Sequence, residues 1–89
     1  MSSAFTPGYH LIPVRRGELG ELSKIQEELD ELADATAQGS RVLMAVELAD
    51  LVGALELFIE KHVPGMTLQD AVAFSKITRR AFENGTRTA

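Results

Sequence analysis

The sequence predicts an all-α fold: a helical hairpin followed by a third helix, with two hairpins closing a four-helix bundle core by dimerisation. Three observations carry this. Leu22, Ile25, Leu29 and Leu32 recur at steps of three and four, which puts them on one helical face. Breaks at Gln38-Gly39-Ser40 and Pro64-Gly65 bound the longest apolar stretch, Val42 to Val63. Glu47, Asp50, Glu56 and Glu60 interrupt that stretch, so it reads as a bundle helix and not as a membrane span.

Residues 1–14 hold Pro7, Gly8 and Pro13 around Tyr9-His10-Leu11-Ile12 and predict an extended arm. The domain proper is expected over 15–85, with a frayed tail at 86–89. The first helix is predicted from Arg16 to Ala37. Gly39 suits a left-handed C-terminal cap and Ser40 the N-cap of the next helix, which is predicted from Arg41 to His62. Thr67-Leu68-Gln69-Asp70 has the form of a capping box with Asp70 in the reaching position. It opens a third helix expected to run to Asn84, with Gly85 just past its end.

A helix of about 22 residues spans about 33 Å. Two such rods and a shorter third do not enclose the apolar surface they carry. The second helix is apolar nearly all round and needs cover on several sides. A homodimer, or a dimer of dimers, is therefore expected. The 89 residues make one domain, and a hydrophobic content of 45% is too high for a disordered chain. The absence of cysteine removes disulfides, thiolate metal sites and cysteine nucleophiles. A net charge of −4 argues against a nucleic-acid partner. The first residues show no signal-peptide pattern, so a cytoplasmic protein without a membrane partner is expected.

The chemistry lies in five acids. Glu27-Glu28-x-x-Glu31 is followed, after fifteen residues, by Glu47-x-x-Asp50. At about 100° per residue, Glu28 and Glu31 fall about 60° apart on the shoulder of the first helix's apolar stripe, and Glu27 falls opposite it, facing outward or supporting Glu31. Glu47 and Asp50 fall among Leu43, Leu51, Ala54 and Phe58, facing the inside of the bundle. Glu56 and Glu60 lie on the far side as solvated acids. An antiparallel hairpin brings Glu28, Glu31, Glu47 and Asp50 together. Four such carboxylates raise one another's pKa, and burial raises them further. Magnesium or manganese relieves both effects and leaves positions for phosphates. The di-iron pattern requires Glu-x-x-His, which is absent here, and zinc lacks nearby Cys or His ligands.

Other features admit two readings. Lys76-x-x-Arg79-Arg80 is either a phosphate clamp or a solvated basic edge near a helix C-terminus. Arg15-Arg16 divides the same way. His10 and His62 read as surface or packing histidines. Tyr9 and Phe5 suit base stacking or anchoring of the arm. Gly20 and Gly53, inside predicted helices, read as points of close helix approach.

The paired acidic motif resembles the signature of the MazG-like nucleoside triphosphate pyrophosphohydrolases, the all-α pyrophosphatase superfamily, over residues 15–85. The opening Arg15-Arg16-Gly17-Glu18 through Ile25, with Lys76-Ile-Thr-Arg79-Arg80-Ala-Phe, resembles short phage-borne members, including the MazZ-type subgroup acting on dGTP or dATP. The resemblance implies two or three Mg²⁺ ions, replaceable by Mn²⁺, held by Glu28, Glu31, Glu47 and Asp50. It implies a catalytic or supporting role for Glu27 and Glu31, and phosphate binding by Lys76, Arg79, Arg80 and Arg16. The expected reaction converts a (d)NTP to (d)NMP and pyrophosphate. A non-catalytic Mg-nucleotide sensor and a purely structural helical scaffold are the competing readings.

Overall fold

The computed structural model describes residues 10–85. Three helices follow one another: α1 (Leu22–Gln38), α2 (Arg41–His62) and α3 (Leu68–Glu83). The described residues include no strand. The fold is all-α, as expected, and α1 and α2 form an antiparallel hairpin. The predicted arm up to Tyr9 and the tail 86–89 lie outside the described residues.

The helix ends follow local chemistry. Gly39 adopts φ 72°, ψ 18°. Its N–H donates to Thr36 O, and the Ser40 N–H donates to Ala35 O, so two terminal carbonyls of α1 are satisfied. The Ser40 hydroxyl then accepts from Leu43 N and caps α2. At α3 the predicted capping box is complete, with Thr67 Oγ1 accepting from Asp70 N and Asp70 Oδ2 accepting from Thr67 N.

The start of α1 differs from expectation by six residues. Gly20 is not helical. It sits in a turn with φ 81°, and Glu21 forms the N-cap without a side-chain cap hydrogen bond. Positive φ there turns the incoming chain before the helix can begin. Glu21 instead reaches the end of α2, pairing with Lys61 and, at 2.9 Å, with His62 Nε2. That clasp joins the first residue of one hairpin arm to the last residues of the other. His62 also packs its ring against Phe58, with centroids 4.7 Å apart. At Gly20 the chain does pass close to α2, since a Cβ there would lie 3.0 Å from the Lys61 side chain and 3.7 Å from Leu57 O; close approach does not explain Gly53, where a Cβ meets nothing within 4 Å among the described residues.

The largest departure is the orientation of α1. The leucine stripe is expected to face the core, but in the single chain Ile25 and Leu32 are only half-buried and Leu22 is 67% and Leu29 46% exposed. The acids face inward instead: Glu27, Glu28, Glu31, Asp34 and Glu47 are all buried. Among the described residues the buried apolar ones are only Val14, Ala35, Ala54 and Ile59. Periodicity groups residues by face; it does not say which neighbour covers that face. Leu48, Val52 and Leu55 share a further flank of α2 and are likewise open to solvent. No described helix is long and apolar enough to cross a membrane.

Candidate metal centre

α1 presents Glu28 and Glu31 one turn apart, and α2 presents Glu47 and Asp50 in the same way. Antiparallel packing sets the pairs against each other. One carboxylate oxygen from each of Glu28, Glu31, Glu47 and Asp50 lies within 4.8 Å of the other three. Glu47 is completely buried at 0% exposure, while Asp50 stands at the open edge. The four acids named from the sequence are thus gathered, and Glu28 and Glu31, placed from the sequence on the shoulder of the leucine stripe, lie on the buried side of α1.

The electrostatics of this cluster are unbalanced. Burial pushes the Glu28 carboxyl above the ordinary carboxylate range; a hydrogen bond from Lys24 opposes the shift, and the charge of Glu31 adds to it. Lys24 Nζ lies 3.1 Å from Glu28 Oε2 and 3.1 Å from Glu27 Oε1. Burial works against the ammonium, yet the two glutamates outweigh it and its pKa is raised. One lysine does not neutralise the cluster. Glu28 Oε1 is buried with no hydrogen-bond partner among the described residues. An orphaned carboxylate oxygen among three further carboxylates is the donor set of a hard divalent cation, so Mg²⁺ or Mn²⁺ fits these residues.

Beside the cluster lies an open-sided cavity of about 560 Å³, lined by Lys24, Glu28, Asp50, Gly53, Ala54 and Leu57 among others. It offers room for a phosphate-bearing group next to the acids.

Glu27 does not look outward. It is buried beneath the segment that precedes α1, and its Oε1 accepts from Gly17 N at 2.8 Å as well as from Lys24. Gly17 is needed there, because a Cβ would come within 2.1 Å of Ser23 O. Arg15 and Arg16 line a separate hollow with Ser23, Gln26, Glu27 and Asp30. Lys76, Arg79 and Arg80 are exposed on α3, which has no buried residue; Arg79 pairs with Glu83 at 2.8 Å. The cavity beside the acids is lined by none of these α3 residues.

Sequence reasoning missed three participants. Lys24 carried a readable signal, standing three and four residues before Glu27 and Glu28. His10 and Asp34 carried none, being 24 residues apart. His10 is no surface residue. Its side chain is 1% exposed, with Nδ1 2.9 Å from Asp34 Oδ2 and Nε2 3.2 Å from Glu47 Oε2. Hydrogen bonding to His10 is the main cause holding the Asp34 carboxyl below its ordinary range, and the Leu11 N–H and Gln38 side chain add to it.

Two comparisons, with curated proteins and with solved structures, returned no match. The family model described as phosphoribosyl-ATP pyrophosphohydrolase matches residues 14–73, a span that contains all four clustered acids and ends before Lys76.

Proposed function

The chain belongs to the phosphoribosyl-ATP pyrophosphohydrolase family, and from that premise we propose that it hydrolyses a nucleoside triphosphate to the monophosphate and pyrophosphate. The observation that carries this reading is the four-carboxylate cluster, with its orphaned Glu28 oxygen, at the edge of an open cavity. Glu28, Glu31, Glu47 and Asp50 would hold two or three Mg²⁺, with Mn²⁺ able to substitute. Ions bound there neutralise phosphate charge and lower the pKa of a coordinated water.

The remaining work falls to the chain's own groups. Water attacks the α-phosphorus, and the bond to the bridging oxygen breaks to release pyrophosphate. Glu31 orients that water or takes its proton. Glu27 serves by position, since its Oε1 already accepts from Gly17 and Lys24. Lys24 stabilises phosphate charge from within the cavity; Arg16, Lys76, Arg79 and Arg80 do so from outside it. The exposed leucines of α1 and the Leu48–Val52–Leu55 flank of α2 support closure by a second copy, as a dimer or dimer of dimers.

Resemblance of the Arg15–Ile25 and Lys76–Phe82 segments to phage-borne proteins supports a purine deoxynucleotide, dGTP first. The family match favours a second substrate, phosphoribosyl-ATP. Both present the same anhydride to the same acids. The test is pyrophosphate release with Mg²⁺ over the eight common (d)NTPs and phosphoribosyl-ATP. Release is expected from dGTP above the others, and to fall at least a hundredfold in Glu47→Gln and Asp50→Asn, the order of loss when one electrostatic element of such a site is removed. Unchanged release by either variant would overturn the assignment.

A further inference from the structure

We propose that His10 is a nitrogen ligand at a second ion position in this site, shared with Glu31 and Glu47, and that it biases the position toward a first-row transition ion such as Mn²⁺ over Mg²⁺. The inference rests on the reading that Glu31 and Glu47 hold metal.

His10 Nε2, a Glu31 oxygen and a Glu47 oxygen lie within 4.8 Å of one another, in a group distinct from the four-carboxylate set but sharing two of its members. Nε2 stands 3.2 Å from Glu47 Oε2 and 3.8 Å from Glu31 Oε1. Two donors about 2.1 Å from one ion and about 90° apart are separated by about 3.0 Å, so the first spacing is that of neighbouring ligands.

The tautomer follows from the other side of the ring. Asp34 Oδ2 accepts from Leu11 N at 3.1 Å and from Gln38 Nε2 at 2.9 Å, so it faces His10 Nδ1 as an acceptor. Nδ1 must therefore donate to it, which directs the Nε2 lone pair at Glu47. Two electron-rich atoms at 3.2 Å are stable together only with a cation or a proton between them. A carboxylate that fixes an imidazole by its far nitrogen is the supporting arrangement of metal-bound histidines. Asp34 provides that support: one oxygen accepts from His10, from Leu11 N at 3.1 Å and from Gln38 Nε2 at 2.9 Å. Imidazole nitrogen suits transition ions, whereas Mg²⁺ prefers oxygen. His10 also precedes the family-matched span of 14–73, so the family match itself assigns it no role.

The test is Mn²⁺ binding to the full chain, followed by the free-ion paramagnetic resonance signal and by electron spin echo detection of directly bound nitrogen. Wild type is expected to show histidine nitrogen coupling. His10→Ala should lose it, with Mn²⁺ affinity at one position about tenfold to a hundredfold weaker and Mg²⁺ affinity nearly unchanged. Asp34→Asn should keep the coupling at reduced affinity. Mn²⁺ bound by wild type without nitrogen coupling overturns this proposal alone, whatever the variants do. So does equal or tighter Mn²⁺ binding by His10→Ala, which would mean a proton occupies the contact. Absence of any Mn²⁺ binding, in wild type as in Glu47→Gln, overturns the metal reading of the whole site as well.

Discussion

On one side of α1 lie Glu27, Glu28, Glu31 and Asp34, all buried; on the other lie Leu22 and Leu29, largely open to solvent. An ordinary amphipathic helix has these sides the other way round. The inversion leaves a single copy with buried charge inside the hairpin and open apolar surface outside it, which the proposed ions and second copy would answer. Inside the hairpin, charge must be balanced. Outside it, apolar surface must be covered.

The outer side gives the largest expected effect. Leu48→Lys combined with Val52→Lys should abolish the proposed association and, with it, the fold, since covering two unpaired ammonium groups costs several kcal/mol. Sedimentation and circular dichroism would report it, and a folded, unchanged assembly would break the comparison. Next comes the inner support. Gly17→Ala drives a methyl into Ser23 O and should destabilise by about 1–3 kcal/mol while loosening the segment over Glu27. A thermal melt unchanged from wild type would show that this segment is not braced against α1.

The inner acids sharpen the contrast further. Glu28→Gln removes a buried charge with one orphaned oxygen, so the metal-free protein should gain about 1 kcal/mol and lose the additional stabilisation by Mg²⁺. Denaturant curves with and without chelator would show the two changes in opposite directions. The smallest effect belongs to the exposed clasp. Lys61 and His62 hold the Glu21 carboxyl below its ordinary value of 4.5. With its native pKa below the unfolded one, this contribution is fully present above pH 4.5 and is lost as pH falls through the lowered value. Glu28, raised by burial, has the opposite sign: its contribution is present at acid pH and is lost as pH rises through the raised value. Melting Glu21→Gln against wild type from pH 3 to 7 should show a small difference that closes at the acid end and shrinks with salt.

Much of the fold was written locally. Ser40, Thr67 with Asp70, and Gly39 each set a helix end by their own side chain or backbone, and those ends were readable. The start of α1 was not, because Glu21 makes no cap bond and spends its carboxylate on residues 40 and 41 positions away. The four clustered acids could be found from their pairing. The burial of Glu28 and Glu31 in place of Leu22 and Leu29 could not, because that depends on which face α2 meets. His10 entered the site through a contact that spacing along a helix does not encode.

Gly53 lines the cavity beside Asp50 in the middle of the longest described helix. A methyl there would touch no atom of the described residues, and alanine would strengthen an isolated helix by about 1 kcal/mol. Rigidity of the resting protein and headroom for an incoming molecule are therefore opposed at a single hydrogen atom, so a heat-tolerant Gly53→Ala variant should be a poorer host for its nucleotide.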